Sequence, residues 1–179
     1  MTTQYFIDET KAKGYVVVAV ACPASALAAA RRTVDALVLP GQRTIHMKNE
    51  SSRRRTHIAS AVCGLTQVGV SAVVLDAGRG PEPEIARRER ALRGIVALAT
   101  AGSTPANLTL DLDETLRSRD ARVLASTLQE RRATEITYSH QTLASQPLLA
   151  LPDVIAWCWA RGGDWRRRVQ PVIIDRREV

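Results

Sequence analysis

The stretch from Tyr15 to Cys22 constrains the fold most. It is an unbroken apolar run rich in valine, the signature of a strand buried on both faces. Gln4 to Glu9 reads as a strand just before it, and the polar segment Thr10 to Gly14 joins the two by a short turn. Strands linked so tightly pair as an antiparallel hairpin. A strand with two buried faces needs cover above and below, and the rest of the chain supplies it. Helical spacing predicts helices over Pro23 to Leu37, Ser51 to Leu65, Pro83 to Ala101, Ser118 to Arg132 and Leu149 to Ala160. Val68 to Leu75, Leu108 to Asp113 and Ile136 to Tyr138 read as three further strands. Strands and helices alternate after an opening hairpin, so the expected fold is α/β with a mixed sheet, in one domain spanning 1–179.

Charge narrows the partners. Net charge is +7, and of 25 basic residues only Lys11, Lys13 and Lys48 are lysines. Arginines cluster at Arg53 to Arg55, at Arg87, Arg88, Arg90 and Arg93, and at Arg166 to Arg168. The planar guanidinium suits phosphate, so a nucleic-acid partner fits, although solvated helix faces account for the same charges. No apolar run has the length of a membrane span, and Asp8 and Glu9 interrupt the place where a signal peptide's apolar core would stand. Cys22, Cys63 and Cys158 are far apart and form no paired motif. That excludes a zinc ribbon or disulfide scaffold and leads to the expectation of a cytoplasmic protein.

The carboxylates carry the chemistry. Asp8 follows Tyr5, Phe6 and Ile7 in the first strand, and Asp111 and Asp113 alternate with leucines at positions 108, 110 and 112. Asp153 stands among Leu148, Leu149, Leu151, Val154 and Ile155. An ionised carboxylate in apolar company is costly unless a cation pairs with it. Arginine and a divalent metal are the two candidates. Each acid also has an ordinary role: Asp8 as a strand end, Asp113 or Glu114 as the start of a loop, Asp153 as a first-turn helix acid.

The segment Tyr5 to Thr10, the apolar second strand, Ile45-His46-Met47, the strand ending at Leu110-Asp111 and the closing stretch Leu151 to Ala156 together resemble one family. This is the domain of unknown function numbered thirty-eight hundred, a bacterial and phage-borne group with a ribonuclease H-like fold. The resemblance implies a five-stranded mixed sheet with helices on both faces and an acidic metal site at its centre. It implies Asp8, Asp111 and Asp153 as ligands of magnesium or manganese, with Asp113 the rival of Asp111. Glu9 matches the family's Asp-Glu pair but alternates to the other face, and His46 matches its histidine. Two hard cations roughly 3.5–4 Å apart would activate water and stabilise the leaving oxygen in phosphodiester hydrolysis.

The expected activity is therefore that of a metal-dependent nuclease or phosphodiesterase, with Lys48, Arg53, Arg54 and Arg55 as the nucleic-acid surface. The alternative is a catalytically inactive module of the same fold that binds nucleic acid or protein. Trp157, Trp159 and Trp165 offer stacking faces or a contact for a protein partner or second copy; Trp157 and Trp159 cannot both face inward on one helix. Glu84 and Glu89 are the only candidates for a glutamate from the third predicted helix. His57 and His140 read as a helix-surface and a loop residue, and Ser139 lacks the elbow motif of a hydrolase nucleophile. Gly78-Arg79-Gly80 is too short for a phosphate loop.

Overall fold

A computed structural model of the chain describes residues 2–102 and 104–179. Six strands appear among the described residues, in the order β5-β4-β1-β2-β3-β6. β1 (Thr3–Thr10) and β2 (Val16–Pro23) form the expected antiparallel hairpin, and β3 (Ser71–Asp76) continues it antiparallel to β2. β4 (Ala106–Asp111), β5 (Ile136–Gln141) and β6 (Ile173–Glu178) each join in parallel, β4 beside β1, β5 beside β4 and β6 beside β3. The sheet is mixed, as expected, but has six strands rather than five.

Helices cover both faces. α1 (Leu27–Leu37), α2 (Ser52–Gly64), α5 (Ala150–Arg161) and α6 (Gly163–Val169) pack on one side, while α3 (Glu84–Ala101) and α4 (Arg117–Glu130) pack on the other. The β2 run explains why. Val16, Val18 and Val20 enter the first core, whereas Val17 and Ala19 enter the second. In β1 the same alternation sends Phe6 into the first core and Ile7 into the second. Asp8 therefore faces the α5 side and Glu9 the α3 side.

Several boundaries differ from the sequence expectation, each for a local reason. The apolar stretch predicted to begin a strand at Val68 first makes a helical turn at Leu65–Val68, closed by Gly69 at a φ of 88°. The strand predicted to run to Asp113 ends at Asp111. Leu112 still donates its N–H to Gln141, but Asp113 lies in the following turn, where its Oδ1 accepts the backbone N–H of Thr115 at 2.9 Å. Asp113 is thus a partly exposed turn residue that does not share a sheet face with Asp111. The predicted three-residue β5 extends to Gln141 and takes in His140.

Candidate functional site

At the carboxyl ends of β1 and β4, beneath α5, lies a cavity of about 350 Å³ lined by Asp8, Asp111 and Asp153 together with His46, Thr44 and Thr142. Three of the predicted acids therefore meet, although they come from opposite ends of the chain. Asp8 and Asp111 are partly buried neighbours on the central parallel pair; β1 and β4 are in register from Thr3↔Ala106 to Ile7↔Leu110, and each acid is the next residue. Asp153 descends from the first turn of α5, where the absent N–H of Pro152 costs nothing because first-turn donors have no helical partner.

The loop before α2 brings in His46. Ile45 and Met47 are buried on either side of it, so the chain passes through in extended form and turns His46 toward the cavity. Glu50 secures this loop by accepting from Gln42 Nε2 and from Arg54 Nε, both at 3.1 Å. Asp153 Oδ2 accepts the Met47 N–H at 2.9 Å. Its Oδ1 lies 2.9 Å from His46 Nδ1, within ion-pair range but out of line for a straight hydrogen bond, which leaves that buried nitrogen without a full partner.

The electrostatics of the cavity are unbalanced. Among the described residues no lysine or arginine forms an ion pair with Asp8, Asp111 or Asp153; the basic group in contact is the His46 imidazole, beside Asp153. Burial, then the charges of Asp153, Glu9 and Asp111, push the Asp8 carboxyl well above the usual aspartate range, against one backbone hydrogen bond from Glu9. Burial and the Glu9 charge raise Asp111 as well. The close contact with Asp153 raises His46, against the burial that lowers it. No three of the described His, Cys, Asp and Glu side chains already stand in a metal-holding arrangement.

Glu9 sits on the other side of the sheet. Its carboxylate meets Arg88 at 2.7 Å, and Arg88 also forks onto both oxygens of Asp120, at 2.8 and 2.7 Å, and donates to the Tyr15 hydroxyl at 3.0 Å. His140, read from the sequence as a loop residue, is buried there with Nε2 3.4 Å from Asp120. Burial lowers the Arg88 pKa, but its bonds to Asp120 and the Glu9 charge more than reverse this. Burial would raise Asp120, but the bonds from His140 and Arg88 hold it below the usual range. The isolated alternation of β5 contained no cue to this network, because its partners lie on β1, α3 and α4. Ser139 and His140 point to opposite faces, so they form no hydrolase pair. Glu84 pairs with Lys11 and Glu89 with Arg119, both away from the cavity.

The predicted basic surface divides by role. Arg54 donates to Glu50 and to the Leu37 carbonyl, and Arg55 to the carbonyls of Met47 and Lys48, so both brace the His46 loop. Arg55 also stacks over Trp157, 4.7 Å from the ring centre. Lys48 and Arg53 are exposed beside it. Trp159 is buried, while Trp157 is partly exposed and meets Trp165 edge-on at 5.1 Å, which accords with the expectation that the two could not share an environment. A larger cavity of about 470 Å³ opens at the opposite end of the sheet, around Thr104, Pro105 and Arg131 to Glu135, but it gathers no comparable cluster of acids.

No family model matches the chain, and no curated protein matches it. No helix among the described residues is long and apolar enough to cross a membrane.

Proposed function

We propose that the chain is a divalent-metal-dependent phosphodiester hydrolase acting on nucleic acid. The observation that carries this reading is the convergence of Asp8, Asp111 and Asp153 on one cavity where, among the described residues, no lysine or arginine pairs with them and the His46 imidazole meets Asp153 alone. Like charges held together raise one another's pKa and invite a compensating cation. The donor set is hard oxygen with one imidazole, which suits magnesium or manganese rather than a thiolate-seeking metal. The α/β mixed sheet with its opening hairpin supports this reading at the level of fold class, while its sixth strand departs from the five-stranded sheet that the ribonuclease H-like resemblance implies.

Asp8 and Asp111 would hold the metal from the sheet and Asp153 from the helix. When bound, the metal would lower the pKa of a water and polarise the phosphate. Asp153 also orients His46 and fixes the Met47 backbone, so it couples the metal site to the loop. His46 lines the cavity, and in its protonated form would offer that proton to a phosphate oxygen or a leaving group. The arginine-rich surface would neutralise backbone phosphates without reading bases.

The test is cleavage of single- and double-stranded DNA and RNA with magnesium or manganese, comparing wild type with Asp8→Asn and Asp153→Asn. Metal-dependent cleavage that drops by a factor of about 10² or more in both folded variants supports the reading. The exposed arginines favour a second reading, an inactive nucleic-acid-binding or protein-interaction module. Salt-sensitive binding with no turnover under any of these conditions would select it.

A further inference from the structure

We infer that a second cavity, at the same end of the sheet, takes a backbone phosphate of the nucleic-acid strand whose scissile bond lies at the carboxylates. This rests on the carboxylate cavity being a phosphodiester site. The second cavity measures about 310 Å³ and is lined by Lys13, Arg79, Arg166 and Arg176, with Asp76 and the buried Trp159. Four cations stand against one carboxylate.

The charge is not spent internally. Arg176 is matched by Asp76 at 2.9 Å and approached by the exposed Glu178 at 3.7 Å. Among the described residues the other three bond only backbone carbonyls: Lys13 that of Arg161, Arg79 that of Lys13, and Arg166 that of Trp159. A carbonyl orients a guanidinium without neutralising it, so a net positive charge faces the opening.

The position is also built. Gly14 has a φ of +111°, and a Cβ there would come within 2.9 Å of Arg79 Cγ and 3.1 Å of the Gly78 carbonyl, so the hairpin turn and the Arg79 loop are pressed together. Tyr15 donates to the Gly78 carbonyl at 3.0 Å and Ala77 to the Tyr15 carbonyl at 2.9 Å, locking that contact through the backbone. The guanidinium groups of Arg166 and Arg176 lie over the Trp159 ring, 4.1 and 5.9 Å from its centre, so one indole contacts both. Because this indole is buried, the cavity reads charge rather than a base.

Register relates the two cavities. Asp8 pairs with Val18, Val18 with Val74, and Val74 with Arg176, so Asp8 and Arg176 stand in one row on one face of the sheet. Three strand spacings separate them, about 14 Å at the backbone. α5 bridges the same gap, with Asp153 near its start and Trp159 near its end. A nucleic-acid strand running across the carboxyl ends of β1, β3 and β6 would meet carboxylates first and then this cationic cavity.

The test is polarisation binding of labelled single-stranded DNA and RNA oligonucleotides of mixed sequence, with chelator present, across a salt series. Lys13→Gln/Arg79→Gln is compared with Arg122→Gln/Arg131→Gln, which removes the same charge from exposed positions at α4, across the sheet. The cavity variant is expected to bind about threefold to tenfold more weakly at low salt, with a salt slope reduced by about 0.7 to 1. The α4 variant should keep the wild-type slope. If the cavity variant melts early, Arg176→Gln on the edge strand replaces it and should show the same direction of change. Equal losses in both double variants, unchanged binding in the cavity variant, or no binding by wild type would overturn the inference. Because no metal is present, the outcome is separate from catalysis: the expected binding pattern without cleavage under metal would sink the hydrolase reading and leave this phosphate site standing, and cleavage with no cavity effect would do the reverse.

Discussion

Asp8 and Glu9 are adjacent in β1, yet Glu9 is met by the Arg88 guanidinium at 2.7 Å while Asp8 faces Asp111 and Asp153 across an open cavity. Strand alternation alone produces this division. One carboxylate is paired by the protein on the α3 side, and the other is left facing its own kind on the α5 side. The two residues should therefore respond to substitution in opposite directions.

Asp8→Asn removes a charge that the metal-free fold disfavours. It is expected to stabilise the protein by on the order of 1 kcal/mol, a rise of roughly 2–4 °C in Tm for a chain of this size. The same variant should lose magnesium or manganese binding. Thermal unfolding followed by circular dichroism, with and without metal, reads both; a drop in metal-free Tm would show that Asp8 has a cationic partner in solution.

Acidity should erase that difference. The folded-state pKa of Asp8 is raised above its ordinary value of 3.8, so its protonated form favours folding. The stability it contributes is complete below that ordinary value and is lost as pH rises through the higher folded value. The gap between wild type and Asp8→Asn should thus be absent in strong acid and open as pH increases. Manganese affinity, which needs the ionised carboxylate, should climb over the same interval. His46 has the same sign: its raised pKa adds stability below its ordinary value of 6.5, lost as pH passes its folded value, so His46→Ala should destabilise more in mild acid than in alkali.

Glu9→Gln should leave metal affinity within about twofold and instead lower stability by about 1–3 kcal/mol, through the Arg88 contact it weakens. Isothermal calorimetry with manganese on this variant, beside Asp8→Asn, separates the two faces of β1. Loss of metal binding on Glu9→Gln would return that residue to the site.

Arg88→Met removes the cationic partner of Glu9 and leaves the buried Asp120 with His140 alone. A loss of about 3–5 kcal/mol is expected, or on the order of 10 °C in Tm. Adding Glu9→Gln and Asp120→Asn to Arg88→Met should recover part of it, since the penalty is that of unmatched charge. Chemical denaturation of the single and triple variants measures the recovery, and equal instability in the two would mean that packing around the guanidinium dominates.

What could be read from the residues was what local pattern encodes. The run from Tyr15 to Cys22 announced a central strand because both of its faces are apolar, and the short turn before it announced the hairpin. β6 escaped because it is an edge strand: only Ile173 is buried, and Asp175, Arg176, Arg177 and Glu178 look like a solvated tail. Asp113 was misread because alternation continues in sequence past the point where the ladder to β5 stops. The convergence of Asp8, Asp111 and Asp153 was suggested by a family resemblance and by their apolar neighbours, whereas the Arg88 network and the cationic cavity depend on which helix lands on which face. Gly78-Arg79-Gly80, dismissed as a phosphate loop, contributes one arginine to that cavity by resting on the hairpin turn.

The placement of β1 has a consequence for how the chain matures. Its antiparallel neighbour is made at once, but its parallel neighbour β4 and the helix above it are synthesised much later, α5 nearly last. Until then the surface bearing Asp8 lacks its cover, and of the charges that later crowd its carboxylate only that of the adjacent Glu9 is present. The acidic cavity is therefore complete only once α5 has been made, and a chain stopped short of α5 would lack both Asp153 and the helix that covers Asp8.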